Sequence, residues 1–243
     1  MKNIIITILS FFIFHFSYSQ KETIEVNYDS NYLDEKDNYG SFNFFNGILT
    51  TDGNKSVYAI TLKDTIAESD FFGLIDNTEF NYSNNYYKSN LNQVTYYREK
   101  RGLKKAKIIK DNYKHNWQLT EEINYILDFT CQKATTSFRG RDYEVYFTKD
   151  LAYNDGPFKF NGLPGLILQV KSIDGTVNIT AKSITYIEEK VPLNPYLSIE
   201  NTIDFTDYKK LYKKYFNNMT GYRPDIDSEI SVPNRYIEYL IDE

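Results

Sequence analysis

The chain has 243 residues, of which 23 are tyrosine and 17 phenylalanine, a length sufficient to bury a core within one domain. Its net charge of −5 offers no overall basic field to nucleic acid. A single cysteine excludes an internal disulfide, and once His15 leaves with the expected signal, one histidine and one cysteine exclude a zinc site built from several His and Cys ligands.

The first predicted element is an export signal. Lys2 supplies a positive start, residues 4–16 a short apolar core, and Ser17 and Ser19 the small residues ahead of cleavage before Gln20. Residues 1–19 are therefore expected to leave, and 20–243 to form a single β-rich domain. No cysteine follows the cleavage point, so no lipid anchor is expected. No later run approaches the ~18 apolar residues of a membrane span. The expected product is soluble, in the periplasm or outside the cell, with 27 Lys and Arg against 33 Asp and Glu. It keeps one histidine, His115, and one cysteine, Cys131. No D-x-[DN]-x-[DN]-G calcium loop is present, and no metal or cofactor is expected.

Aromatic and β-branched residues separated by Asn, Thr and Ser then read as short strands. In "FFNGILTTDGNKSVYAITL" a hairpin is predicted to turn on Asp52-Gly53 as a two-residue type I′ turn, with Tyr58, Ile60 and Leu62 on one face. Residues 71–88, Asn-rich and polar, read as loop. Strands are expected at 92–98, 104–110 and 116–121. "EINYILDFTCQKA" alternates as one strand, with Ile123, Tyr125, Leu127, Phe129 and Cys131 on one face, and "DYEVYFTKD" is its expected partner through "TTSFRGR".

In "GPFKFNGLPGLILQV" two bends are expected. Gly156-Pro157 forms the first; Pro164 and Gly165 occupy the middle of a type II turn, Leu163–Leu166, in the second. Gly162 is expected to let the backbone pass close to a neighbour. An apolar strand, an Asp174-Gly175 turn and a further strand follow. Last, Tyr208, Leu211, Tyr212, Tyr215 and Met219 recur at helical spacing, with Lys209, Lys210, Lys213 and Lys214 opposite. Asp204 or Thr206 can cap this helix, and Gly221 and Pro224 end it. The pattern predicts a mainly β (α+β) fold: a single curved or half-closed antiparallel sheet with one C-terminal amphipathic helix at about 204–219.

The hexapeptide Gly162–Ile167, preceded by "CQKATTSFRGR" and "GPFKF" in the same order and spacing, resembles the GLPGLI family of exported proteins from the Bacteroidetes. That family has no established function, so the resemblance implies lineage and export and transfers no catalytic residue.

Candidate chemistry is sparse. Arg139 and Arg141, on one face if the chain is extended, could grip an anion bidentately, with Lys133 and Lys159 nearby; the favoured reading is that the arginines pair with the chain's own acids, such as Asp128, Asp142 or Asp155, and pin the hairpin. Cys131 and His115 are the only conceivable nucleophile–base dyad, yet Cys131 falls on an apolar face and no G-x-S-x-G elbow appears. The four-lysine helix face suits solvent as well as anionic lipid. The expectation is a non-enzymatic envelope or secreted module that binds an unidentified envelope protein or small ligand. The alternatives are a carrier of an apolar ligand and a hydrolase using carboxylates or Cys131/His115.

Overall fold

The computed structural model describes residues 22–34, 40–62, 85–100, 102–199, 202–220 and 238. The expected signal, residues 71–84 of the expected loop, and Gly221 and Pro224 lie outside the described residues. Among the described residues, twelve strands are β1 Thr23–Asp34, β2 Gly40–Thr51, β3 Lys55–Leu62, β4 Asn85–Ser89, β5 Val94–Glu99, β6 Lys107–Asn112, β7 Gln118–Ile126, β8 Phe129–Phe138, β9 Arg141–Thr148, β10 Leu166–Ser172, β11 Val177–Ile187 and β12 Thr202–Asp204. One helix, α1, follows at Phe205–Thr220.

All twelve strands form one sheet, ordered β12-β6-β5-β4-β3-β2-β1-β11-β10-β9-β8-β7. Every pairing is antiparallel except the short β12–β6 pair. The connection from β6 to β7 dictates the shape. Ten strand spacings separate these two in the order, roughly 48 Å if the sheet were flat. The chain from Asn112 to Gln118 spans at most about 20 Å. The sheet therefore has to roll, and its two ends approach without pairing. The expected mainly β fold, one curved sheet with a C-terminal helix, is what the chain adopts.

Period-two alternation turns one face of the sheet inward. On β1 the buried residues include Ile24, Val26, Tyr28 and Ser30; on β9 they include Tyr143, Val145 and Phe147. Central β10 is buried at nearly every position, as a strand covered on both faces should be. Each fully buried aliphatic or phenylalanine side chain contributes about 1.5–3 kcal/mol.

Several local expectations are corrected. The β2–β3 hairpin forms, but three residues, 52–54, lie between its strands, Thr51 pairs with Ser56, and the Asp52 N–H donates to the Lys55 carbonyl at 3.2 Å. The Asp52 carboxylate accepts the N–H groups of Asn54 and Lys55, and only Gly53 has positive φ, at 85°. A turn braced by the Asp52 side chain thus replaces the type I′ pair. "EINYILDFTCQKA" is two strands: the chain reverses at Leu127-Asp128, both at positive φ (50° and 66°), and Ile126 pairs with Phe129. Ile123 and Tyr125 consequently stand exposed on edge strand β7, while Cys131 is buried in β8. "TTSFRGR" is mostly strand as well. Its turn is Arg139-Gly140, with φ of 49° and 81°, so Arg139 and Arg141 are not neighbours along one strand face. Asn85–Ser89, within and just beyond the expected loop, is strand β4.

Helix α1 begins immediately after Asp204. Phe205, Tyr208, Tyr212 and Phe216 face the sheet. Leu211 and Tyr215, expected on that face, lie on its flank and are 44% and 37% exposed.

Candidate functional site

Between β9 and β10 the chain does not cross the surface but enters the interior. Asp155, Gly156, Pro157, Phe158, Lys159 and Phe160 are all buried. Phe158 packs edge-on to Tyr86 of β4, and Phe160 to Tyr143 of β9. The segment thus bridges strands from opposite halves of the sheet order. The space in which a carrier would hold an apolar ligand is, at this level, filled by Phe158, Lys159 and Phe160.

An irregular segment taken out of water must find partners for its backbone. Side chains of surrounding elements supply them. The carbonyl of Gly156 accepts from Lys88 Nζ at 2.6 Å, and that of Asn161 from Trp117 Nε1 at 2.9 Å. The Ile167 carbonyl accepts from the Tyr28 hydroxyl at 2.7 Å. The Lys159 carbonyl lies 3.1 Å from His115 Nε2, which must carry the proton because a carbonyl only accepts.

Two ion clusters pin the segment. In the first, Lys88 of β4 meets Asp155 at 2.5 Å with both side chains fully buried. The same carboxylate accepts from Thr51 and Asn90 and from the N–H of Gly156. Burial pushes Asp155 upward, but the Lys88 charge and the hydrogen bonds of Lys88 and Asn90 outweigh it and hold the carboxyl below its ordinary range. In the second cluster, Asp111 of β6 pairs with Arg139 at 2.5 Å and with Lys159 at 2.9 Å. Glu238 completes it, 2.7 Å from Lys159 and 3.3 Å from Arg139. The Arg139 guanidinium lies over the Phe205 ring, 3.3 Å from its centroid. Two cations meet two anions, so the cluster is neutral and joins the two ends of the rolled sheet.

The four basic residues singled out from the sequence thus do not form one site. Arg139 and Lys159 come together, on internal carboxylates. Arg141 pairs with Asp174 in the β10–β11 turn. Lys133 pairs with Glu144 at 2.8 Å and Glu122 at 3.0 Å, and Glu122 also accepts from Tyr146. Sequence reasoning missed Lys88, Asp111 and Glu238; none falls in a motif or a periodic run that would mark it.

Cys131 and His115 are far apart. Cys131 lies seven residues from Phe138 along β8, about 23 Å, and the His115 ring packs on Phe138 at 4.4 Å. Cys131 is fully buried, and burial pushes its thiol up to about 11. Desolvation, reinforced by the charges of Arg139 and Lys88, pushes His115 down to about 4. Neither has the protonation behaviour of a nucleophile–base pair at neutral pH.

The glycine–proline cluster is also corrected in detail. Leu163–Leu166 is not a type II turn: the Leu163 carbonyl accepts from Gly165 N–H at 2.8 Å, closing a three-residue turn on Pro164. The Leu166 N–H goes to the Leu151 carbonyl instead. Close approach occurs at Gly156, where a Cβ would stand 2.7 Å from Ile167 Cβ, and at Gly165, not at Gly162. At Gly162 a Cβ would meet only Trp117 Nε1, at an ordinary contact distance of 3.8 Å, and φ is 88°.

Two solved structures share this architecture: PNGF-II in a C2 and in a P21 crystal form, each 20% identical, with TM-scores of 0.52 and 0.51. At that identity the likeness is one of fold. Each match covers 80% of this chain, which spans about a third of the PNGF-II chains, 33% and 34%. No curated protein matches the chain. Among the described residues, no helix is long and apolar enough to cross a membrane. Residues 51–210, about two thirds of the chain and all of both ion clusters but Glu238, match the model for the N-glycanase peptide, N-terminal domain, and the chain belongs to that family.

Proposed function

We propose that the protein is an exported, non-enzymatic module of the envelope or the surroundings, binding a protein or small-ligand partner rather than transforming a substrate. One observation carries this reading. The side chains best suited to acid–base chemistry, Lys88, Asp155, Asp111, Lys159 and Glu238, are buried, matched cation to anion, and engaged in fixing the interior segment. The family description supports it, because it names an N-terminal domain and not a whole N-glycanase. So does the coverage, since two thirds of each PNGF-II chain lies outside the shared fold. The GLPGLI resemblance and the leader-like residues 1–19 support export.

The test is incubation of the purified chain with an N-glycosylated protein and mass spectrometry of the released fraction. No glycan is expected to appear beyond that in buffer alone. Release by the wild type that disappears in a folded Asp155→Asn or Glu238→Gln variant would overturn the reading.

A further inference from the structure

Two basic segments far apart in sequence meet at one corner of the molecule. Within residues 98–110 and 205–220, the described residues carry ten Lys and Arg against Glu99 and Asp207, in a chain whose net charge is −5. Seven of these lysines are exposed: Lys100 just after β5, Lys104, Lys105 and Lys107 before and at the start of β6, and Lys210, Lys213 and Lys214 on α1. The segments touch because Gly102 of the β5–β6 turn lies against the helix. A Cβ there would stand 3.2 Å from Tyr212 Cα and 3.4 Å from Tyr215 Cβ.

This corner is built unlike the interior, where cations are matched by carboxylates. Lys210 has Asp207 at 2.9 Å. Among the described residues, Lys104, Lys105, Lys107, Lys213 and Lys214 form no ion pair. Beside them, Leu211 and Tyr215 stand one helical turn apart, 44% and 37% exposed. An aliphatic and a tyrosine side chain flanked by long lysines, on a helix whose opposite face is packed on the sheet, is the composition of a surface that settles at a lipid–water boundary: rings and methyl groups enter the acyl edge while ammonium groups meet headgroups.

We propose that this corner, formed by α1 and the β5–β6 turn, docks on an anionic lipid bilayer. A polyanion would use the same lysines but would gain nothing from Leu211. The experiment is co-sedimentation of the purified chain with phosphatidylcholine vesicles, with and without phosphatidylglycerol as a third of the lipid, at low and high salt. Binding is expected to the anionic vesicles only and to weaken with salt. K104E/K105E and K213E/K214E are each expected to lower partitioning about tenfold or more, and Leu211→Ser to lower it while leaving retention on polyphosphate unchanged. Lys182→Glu, on β11 in the middle of the sheet, should bind as wild type. All these positions are exposed, so circular dichroism should report unchanged folding. Equal binding to neutral vesicles, no vesicle binding, binding to polyphosphate alone, or unaltered binding by both charge-reversed variants would overturn the proposal.

Discussion

Gly165 stands where the interior segment passes into β10, and the backbone at the end of β9 runs directly over it. A Cβ there would lie 2.0 Å from the carbonyl oxygen of Thr148 and 2.7 Å from its carbon. Both belong to the backbone, so no rotamer change can relieve the clash. Gly162 differs: its nearest neighbour is Trp117 Nε1 at 3.8 Å, and its requirement is a φ of 88°. Gly165→Ala is therefore expected to destabilise by about 3 kcal/mol or more, as overpacking against rigid structure does. Gly162→Ala should cost about 1 kcal/mol from the left-handed backbone alone. Urea midpoints compare the two, and the reverse order would refute the assignment. Residue types in the sequence mark both positions as special, since only glycine recurs where backbone is constrained. They do not tell close approach from positive φ, because the obstructing atoms at Gly165 come from another strand.

At the scale of elements, the interior segment is held by pairs whose members come from separate elements. Lys88 belongs to β4 and Asp155 to the segment, and removing either leaves the other charged and buried. Lys88→Met or Asp155→Leu alone is expected to cost about 3–5 kcal/mol. The double variant, with no charge left to strand, should cost well below the sum of the two, by more than about 1 kcal/mol. A double-mutant cycle in urea measures this coupling, and additivity would mean that the pair does not act as a unit. Strands were legible in the sequence where period two held, as in β9 and the first half of β11, β10 was legible as an apolar run before the Asp174-Gly175 turn, and α1 was legible from its 3.6 period. Leu127-Asp128 was not, and Arg139-Gly140 was placed only within the wider connection "TTSFRGR", because a turn with two positive φ values announces itself when Asn, Asp or Gly fills the first position. The ion partners were illegible for a different reason. Lys88 and Asp155 are 67 residues apart, and Lys159 and Glu238 are 79 apart. Only the roll of the sheet brings them within reach.

That roll depends on the short connection between β6 and β7, and its central residue, His115, gives the whole molecule a pH dependence. The ring stacks on Phe160 and lies against Phe138 and Trp117, 6% exposed, with Nε2–H on the Lys159 carbonyl. Burial, with Arg139 and Lys88 adding repulsion, lowers it from about 6.5 in the unfolded chain to about 4 in the fold. Between these values the unfolded chain binds the proton and the folded chain does not, so stability falls as pH falls through that window. The loss approaches the order of 3 kcal/mol by pH 4. Asp155 acts lower on the scale: its carboxyl sits below the ordinary range in the fold, so its contribution is complete above that range and declines as pH drops through and beneath it. Unfolding in urea, followed by fluorescence of the single tryptophan, Trp117, is expected to give a flat stability above pH 7 and a steady decline from 6.5 to 4. His115→Gln should remove that decline and keep only the acid limb set by the carboxylates, whatever its stability at pH 7. A wild type that holds its stability down to pH 4, or a variant that declines as steeply, would mean that the ring is not carried neutral in the interior.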